Sequence, residues 1–501
     1  MTAALKQQHD DPRRLSVVDN TRREISQATA RAKKSSLGQF MTPAEIATFM
    51  ASLLPVASGP ARLLDAGAGI GSLTSAVLER QVHGDFNAPS IHSTVFEIDP
   101  TLIPHLTETL EHYQQEDPRI SFDVVSDDFL PVGMMGLKTE RITPFTHAIL
   151  NPPYKKISSQ SDYRAILRKA GIETVNLYSG FVGLALLLMA PGGTVCAIIP
   201  RSFCNGPYYR PFRELILRKS AIKRVHLFDS RTQAFSDDEV LQENVIIVLE
   251  RNGVQGDVVL SSSRDGTFSD MKTWSLPISS VVGDNDPERV ICLPTPEEAT
   301  GVIPAKFAST LKDIGVQVST GPVVDFRMRD HLRAQPEEGA VPLLYPVHFV
   351  NGDLCWPREA IKKPNAIALN DETRRWLYPR GNYAVIRRFS SKEERRRVVS
   401  TLIKDVDLPN DFVGFENHIN VFHTGKRGLS RELAAGLNVY LNSTVVDVHF
   451  RTFNGHTQVN ATDLKMLPYP DLDTLLEMGR WAGKQNRLSQ EAIDRCVEEL
   501  S

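Results

Sequence analysis

Ala61-Arg62-Leu63-Leu64-Asp65-Ala66-Gly67-Ala68-Gly69-Ile70-Gly71 is the stretch on which the fold turns. An apolar run meets an acidic residue, glycines follow at alternate positions, and Ser72 to Arg80 resumes at helical spacing. Strand, tight turn and helix are predicted, because glycine accepts positive φ and lets a ligand approach the backbone. The spacing is not Gly-x-Gly-x-x-Gly and Asp65 opens the turn, so a dinucleotide pyrophosphate fits poorly. Asp65 suits a ligand bearing an ammonium group. A turn that only joins strand to helix reads equally well from this stretch alone.

Three further strand ends follow. Ser93-Thr94-Val95-Phe96-Glu97-Ile98-Asp99 reads as a strand with Glu97 at its tip, where a carboxylate can take both hydroxyls of a ribose. Phe122-Asp123-Val124-Val125-Ser126-Asp127-Asp128-Phe129-Leu130 places Asp128 to accept from an adenine amino group and Phe129 to pack on the ring. Ala148-Ile149-Leu150-Asn151-Pro152-Pro153-Tyr154 ends a buried strand on a stiff turn, since two prolines fix φ and remove two donors. Four strand ends with polar carboxyl edges predict an α/β fold, a doubly wound and mostly parallel Rossmann-like sheet of seven strands. Asn176 to Ala190 is the next helix and Thr194 to Pro200 the next strand; Val225 to Phe228 and Asn244 to Leu249 complete the sheet as an antiparallel pair.

The Asn151 turn carries the chemistry. Its side-chain oxygen and the Pro152 carbonyl form two fixed acceptors, with Tyr154 as an aromatic wall. A planar amine is a poor nucleophile because its lone pair is delocalised. Hydrogen bonds from both its N–H groups favour a pyramidal nitrogen that can attack an electrophilic methyl. Alone, such a turn is more often a plain exit from a sheet; the strand ends upstream give it weight.

Upstream, Leu37-Gly38-Gln39-Phe40-Met41-Thr42-Pro43 precedes a helical pattern from Ala44 to Leu54. Thr42 is the predicted cap and Pro43 the first-turn proline. Residues 1–35 read as a polar helical extension with Arg22 and Arg23 on a solvated face. The chain has 501 residues, net charge −3, 41% hydrophobic and 23% charged residues, which predicts a soluble, multidomain, cytoplasmic protein without a membrane segment. Its five cysteines show no Cys-x-x-Cys spacing, so neither a zinc module nor a disulfide framework is expected, and no metal.

Past residue 252 the composition shifts, and a boundary is predicted at Gly253-Val254-Gln255-Gly256-Asp257. Residues 253–470 form a mixed α+β domain in this reading and 471–501 a helical tail. Arg387 and Arg388 beside a β-like segment suit DNA contact, whereas Lys392 to Arg397 read as a solvated helix face. Phe415-Glu416-Asn417-His418-Ile419-Asn420 and Phe453 to Leu464, with His456 and Gln458, are dense in groups able to read bases. They read equally well as self-bonded turns, and His418, His423 and His456 as loop or core residues.

In this order the motifs resemble S-adenosylmethionine-dependent DNA adenine-N6 methyltransferases of type II restriction–modification systems, and the second half resembles the PstI/BsuBI type. The likeness implies that Phe40, Thr42 and Pro43 close over methionine, and that Asp65, Gly67 and Gly69 form the cofactor loop. It gives Glu97 to the ribose, Asp128 and Phe129 to adenine, and Asn151, Pro152 and Tyr154 to catalysis. Phe235 would stack on a target base extruded from the duplex, a core phenylalanine being the even alternative. Residues 36–252 would be the methyltransferase domain and 253–470 the target-recognition domain, with Arg387, Arg388, Asn417, His456 and Gln458 on DNA. The implied product is N6-methyladenine in CTGCAG, protected from a partner restriction endonuclease, made by a monomer or weak dimer. The same turn also suits an RNA base or a protein glutamine amide, and a silent DNA-binding fold is the alternative of another class.

Overall fold

The computed structural model of this chain describes residues 14–28, 41–228, 243–283, 286–296, 303–304, 306–390, 394–454, 457–485 and 487–501. The chain divides into two compact units, 1–292 and 293–501.

The first unit is built on β1 (Ala61–Ala66), β2 (Ile91–Phe96), β3 (Ile120–Val125), β4 (Phe145–Leu150), β5 (Met189–Pro200), β6 (Ser220–Phe228), β7 (Asn244–Arg251), β8 (Val258–Ser263) and β9 (Lys272–Leu276). They lie in the order β3-β2-β1-β4-β5-β7-β6-β8-β9. β7 and β9 run against the other strands. The expected antiparallel β6–β7 pair is present, but among the described residues the sheet has nine strands rather than seven. β8 continues parallel to β6, so the turn at Gly253 links two strands of one sheet instead of separating domains. β8 is buried along almost its whole length and pairs with the edge of β6, and β9 then pairs with β8 as the exposed last strand.

Helices fall into two packed groups. α1 (Arg14–Ala28), α2 (Ala44–Ser52), α3 (Ser72–Val82) and α4 (Ile103–Glu116) contact one another, as do α5 (Phe129–Thr139), α6 (Asp162–Arg168), α7 (Leu177–Leu188) and α8 (Arg210–Lys219). Leu63, Ile91, Val95, Leu73, Val77, Leu106 and Leu110 share one core with Leu15 of α1. α1 is therefore part of the fold. Arg22, expected on a solvated face, is 1% exposed, and its Nε donates to Asp19 Oδ1 at 2.7 Å.

In the second unit, strands Gln317–Thr320, Ile419–His423, Tyr383–Arg387 and Ser400–Ile403 form an antiparallel sheet. A five-stranded sheet pairs Leu332–Arg333, Ala366–Ala368, Ala340–Leu344, Phe412–Phe415 and Tyr378–Pro379. Tyr383, Val385, Val413, Phe415 and Val421 close a core between them. Helix Leu472–Ala482 packs on helix Arg431–Leu441, so the expected tail belongs to this unit. Arg397, read from sequence as solvated, is buried: its Nη2 donates to Asn454 Oδ1 at 2.7 Å and its Nε to Ser390 Oγ at 2.9 Å.

Candidate active site

β1 is flanked by β2 on one side and β4 on the other, so the chain reverses its direction of travel across the sheet at β1. Crevices form at such points, because the connections leave on opposite faces. The registers Ala66↔Phe96 and Phe96↔Val125 bring three strand ends into one row. Gly67 and Ala68 both donate backbone N–H to the Phe96 carbonyl at 2.9 Å, fixing the glycine turn against β2. Gly67, Gly69 and Gly71 have φ of 86°, 61° and 90°, a geometry a side chain would strain.

Beside this row lies a cavity of about 400 Å³. Gly67, Asp128, Phe129 and Pro153 from the sequence motifs line it, together with Phe96 and Tyr163. Phe129 meets Phe96 edge to face at 5.2 Å. Asp128 caps α5, its Oδ1 accepting from Leu130 N at 3.0 Å, while Oδ2 accepts from the Tyr163 hydroxyl at 2.5 Å. That bond to Asp128, with burial behind it, lifts the Tyr163 phenol to about 12. Tyr163 was not legible as a site residue, since nothing in its local pattern ties it to a capping carboxylate 35 positions earlier.

Asp65 and Glu97 do not themselves line the cavity. Asp65 is fully buried, and its Oδ2 accepts from the Thr74 hydroxyl at 2.7 Å. Oδ1 has no hydrogen-bond partner among the described residues. Burial raises this carboxyl to about 7, against the lowering effect of Thr74. Glu97 Oε2 accepts from Gly69 N at 2.7 Å and Oε1 from Asp99 N at 2.7 Å, so the carboxylate braces the glycine turn. Burial raises its pKa, and these backbone donors work against that rise.

Asn151 follows β4 directly. Its Nδ2 donates to the Thr42 hydroxyl at 2.9 Å, and its Oδ1 stands 3.2 Å from the Tyr154 hydroxyl. The same Tyr154 hydroxyl is 3.2 Å from the Ile198 carbonyl of β5. The side-chain amide is thus held at both ends. Thr42 is not the helix cap the sequence suggested. Pro43 stands at the cap position of α2 with no side-chain capping bond, and the Ala44 N–H donates instead to Asp19 Oδ1 of α1 at 3.2 Å. A carboxylate from another helix takes over the capping, which leaves the Thr42 hydroxyl for Asn151.

In the second unit, Arg388, Asn417 and Gln458 come together. Arg388 N donates to the His418 carbonyl at 2.8 Å, and Val459 N donates to the Arg388 carbonyl at 2.7 Å. The Arg388 guanidinium is directed inward: Nη1 donates to the Asn417 carbonyl at 3.3 Å and Nη2 to Gln458 Oε1 at 3.2 Å. Arg387 is paired with Glu394. Both arginines, expected from sequence to suit DNA contact, have partners within the unit: Glu394, seven positions on, for Arg387, and acceptors 29 and 70 positions away for Arg388. Phe40, Phe235 and His456 lie outside the described residues.

The model of the Eco57I restriction-modification methylase family matches residues 87–235. The type II methyltransferase M.BsuBI of Bacillus subtilis is 48% identical over 495 residues, covering 97% of this chain and 98% of that protein. M.PstI of Providencia stuartii is 39% identical over 472 residues, covering 92% of each. Among solved structures, the type IIL restriction-modification enzyme MmeI in complex with DNA aligns with a TM-score of 0.54 at 10% identity, over 97% of this chain and 75% of that one. The chain therefore belongs to the PstI/BsuBI-like modification methylases, type II methyltransferases of restriction–modification systems.

Proposed function

We propose that this chain methylates N6 of an adenine extruded from double-stranded DNA, using S-adenosylmethionine, and so protects a specific site, CTGCAG, from a partner restriction endonuclease. The observation that carries the reading is the Asn151 amide, clamped between Thr42 and Tyr154 at the end of β4. An amide held at both ends presents its acceptor in a set direction, and the Pro152 carbonyl is restrained by its own ring at φ and by the following Pro153 at ψ. Two such acceptors hold both hydrogens of an exocyclic amine and localise the lone pair on nitrogen. So held, the amine nitrogen would take a methyl in line, and its surplus proton would leave for solvent.

S-adenosylmethionine, when bound, supplies the electrophilic methyl. The residues present fit it. Asp65 offers a buried carboxyl oxygen without a partner to an ammonium, and Gly67 a backbone open to close approach. Glu97 is assigned to the ribose hydroxyls, and Asp128 with Phe129 to the adenine beside the cavity. Pro43 and Thr42 would close over the methionine end. Residues 1–292 form the methyl-transfer unit in this reading, and 293–501 the target-recognition unit.

Asn151→Ala is expected to lower methylation by about 10²- to 10³-fold or more while cofactor and DNA binding persist. A radiolabelled-methyl assay on DNA, RNA and protein, with modification-sensitive sequencing of the DNA, reads the product. Turnover unchanged in the variant, or label found in RNA or glutamine, sinks the proposal.

A further inference from the structure

The patch around Arg388 contains one group that its neighbours have oriented without consuming. Three segments are joined there by backbone bonds, including Ser390 N to the Thr457 carbonyl at 3.1 Å and Arg388 N to the His418 carbonyl at 2.8 Å. Most of its polar side chains are spent internally: Arg388 reaches Gln458 and Asn460, and Asn420 Nδ2 donates to the Val459 carbonyl at 2.7 Å. His418 differs. Its Nδ1 faces the Glu416 carboxylate at 2.6 and 2.8 Å, and its backbone N–H donates to Glu416 Oε2 at 2.9 Å.

The Glu416 side chain is 0% exposed and that of His418 39%. A buried carboxylate thus sets the ring from behind. With Nδ1 turned inward, Nε2 is the ring atom left for a ligand. Phe389 lies against the imidazole, centroids 5.0 Å apart, and is 47% exposed. Asp325, an acidic neighbour of His418, is paired with Lys363 Nζ at 2.7 Å. A histidine serving only the core would be covered. Here a ring oriented by Glu416 and an apolar ring lie against each other, both partly exposed.

We propose that His418 and Phe389 are specificity-determining residues that contact a base edge in the DNA groove, His418 through Nε2 and Phe389 through apolar contact, with Glu416 as the positioning residue. With Nδ1–H given to the Glu416 carboxylate, Nε2 of the neutral ring accepts, so the pair suits a base-pair edge that offers a donor and an apolar group together, as A·T does with adenine N6–H and the thymine methyl. The inference rests on the reading of residues 293–501 as target recognition.

The test uses the full-length chain, as wild type, His418→Ala and Phe389→Ala, on a random-sequence DNA library read by modification-sensitive sequencing. Melting temperature and S-adenosylmethionine binding are measured in parallel. The expected result is that both variants stay folded, Phe389→Ala melting like the wild type, and that both label a broadened set of sites. Discrimination should fall about 10- to 100-fold at one base pair, the same pair for both variants. An unchanged site set with unchanged discrimination overturns the proposal. So does a uniform loss of labelling at every sequence accompanied by a lower melting temperature, since that marks a packing role. If the wild type labels no DNA, the underlying DNA reading falls first, and is told apart by that control.

Discussion

Thr42 and Asn151 are 109 positions apart, yet the hydroxyl of one orients the amide of the other. Thr42→Val keeps the shape of the side chain and removes the acceptor, so one end of the Asn151 amide is released. We expect kcat to fall about tenfold, the worth of one hydrogen bond, with KM for DNA little changed. Steady-state kinetics separates the two. Asp65 gives a pH signature. Its ordinary value of 3.8 rises to about 7 on folding, so the folded chain favours the protonated form. That contribution to stability is complete below 3.8 and disappears as pH climbs through about 7. Against Asp65→Asn, the cofactor-free wild type should therefore lose melting temperature across this range, and the difference should level off at higher pH. A bound ammonium needs the carboxylate, so S-adenosylmethionine affinity should strengthen over the same interval; differential scanning fluorimetry and titration calorimetry check both.

Among the elements, helices 431–441 and 472–482 depend on two glycines. A Cβ on Gly436 would overlap the Leu475 carbonyl oxygen, and one on Gly479 that of Glu432. Gly436→Ala gains about 1 kcal/mol of helix propensity, but the obstacle is backbone and has no rotamer in which to move aside. Overpacking wins, and a net loss of about 2 kcal/mol is expected in urea unfolding followed by circular dichroism. An unchanged midpoint would show that the helices separate freely. Elements were legible to unequal degrees. β1 to β5 follow from apolar runs, and helices 44–52, 72–82 and 177–188 from helical spacing; a parallel strand buried on both faces, as β4 is, has an unbroken apolar signature. β8 and β9 were missed, since Gly253 to Asp257 looks like any linker until a free sheet edge stands beside it.

At the scale of the molecule, the sequence alone determined the order of strand ends, the glycine turn and the Asn-Pro-Pro-Tyr exit. These are local patterns, written within a few residues by backbone preference and by which face is apolar. It also brought Asp128, Phe129 and Pro153 to attention before the cavity they line was visible. Only the tertiary structure decided how polar side chains pair. It gave Asp19 to the start of α2, Tyr163 to Asp128, and Arg388 to the loops around Asn417 and Gln458. It also buried Arg22 and Arg397, which composition had put in solvent. A charged or amide group takes the nearest partner that packing delivers, and when that partner lies tens of residues away no local spacing encodes it.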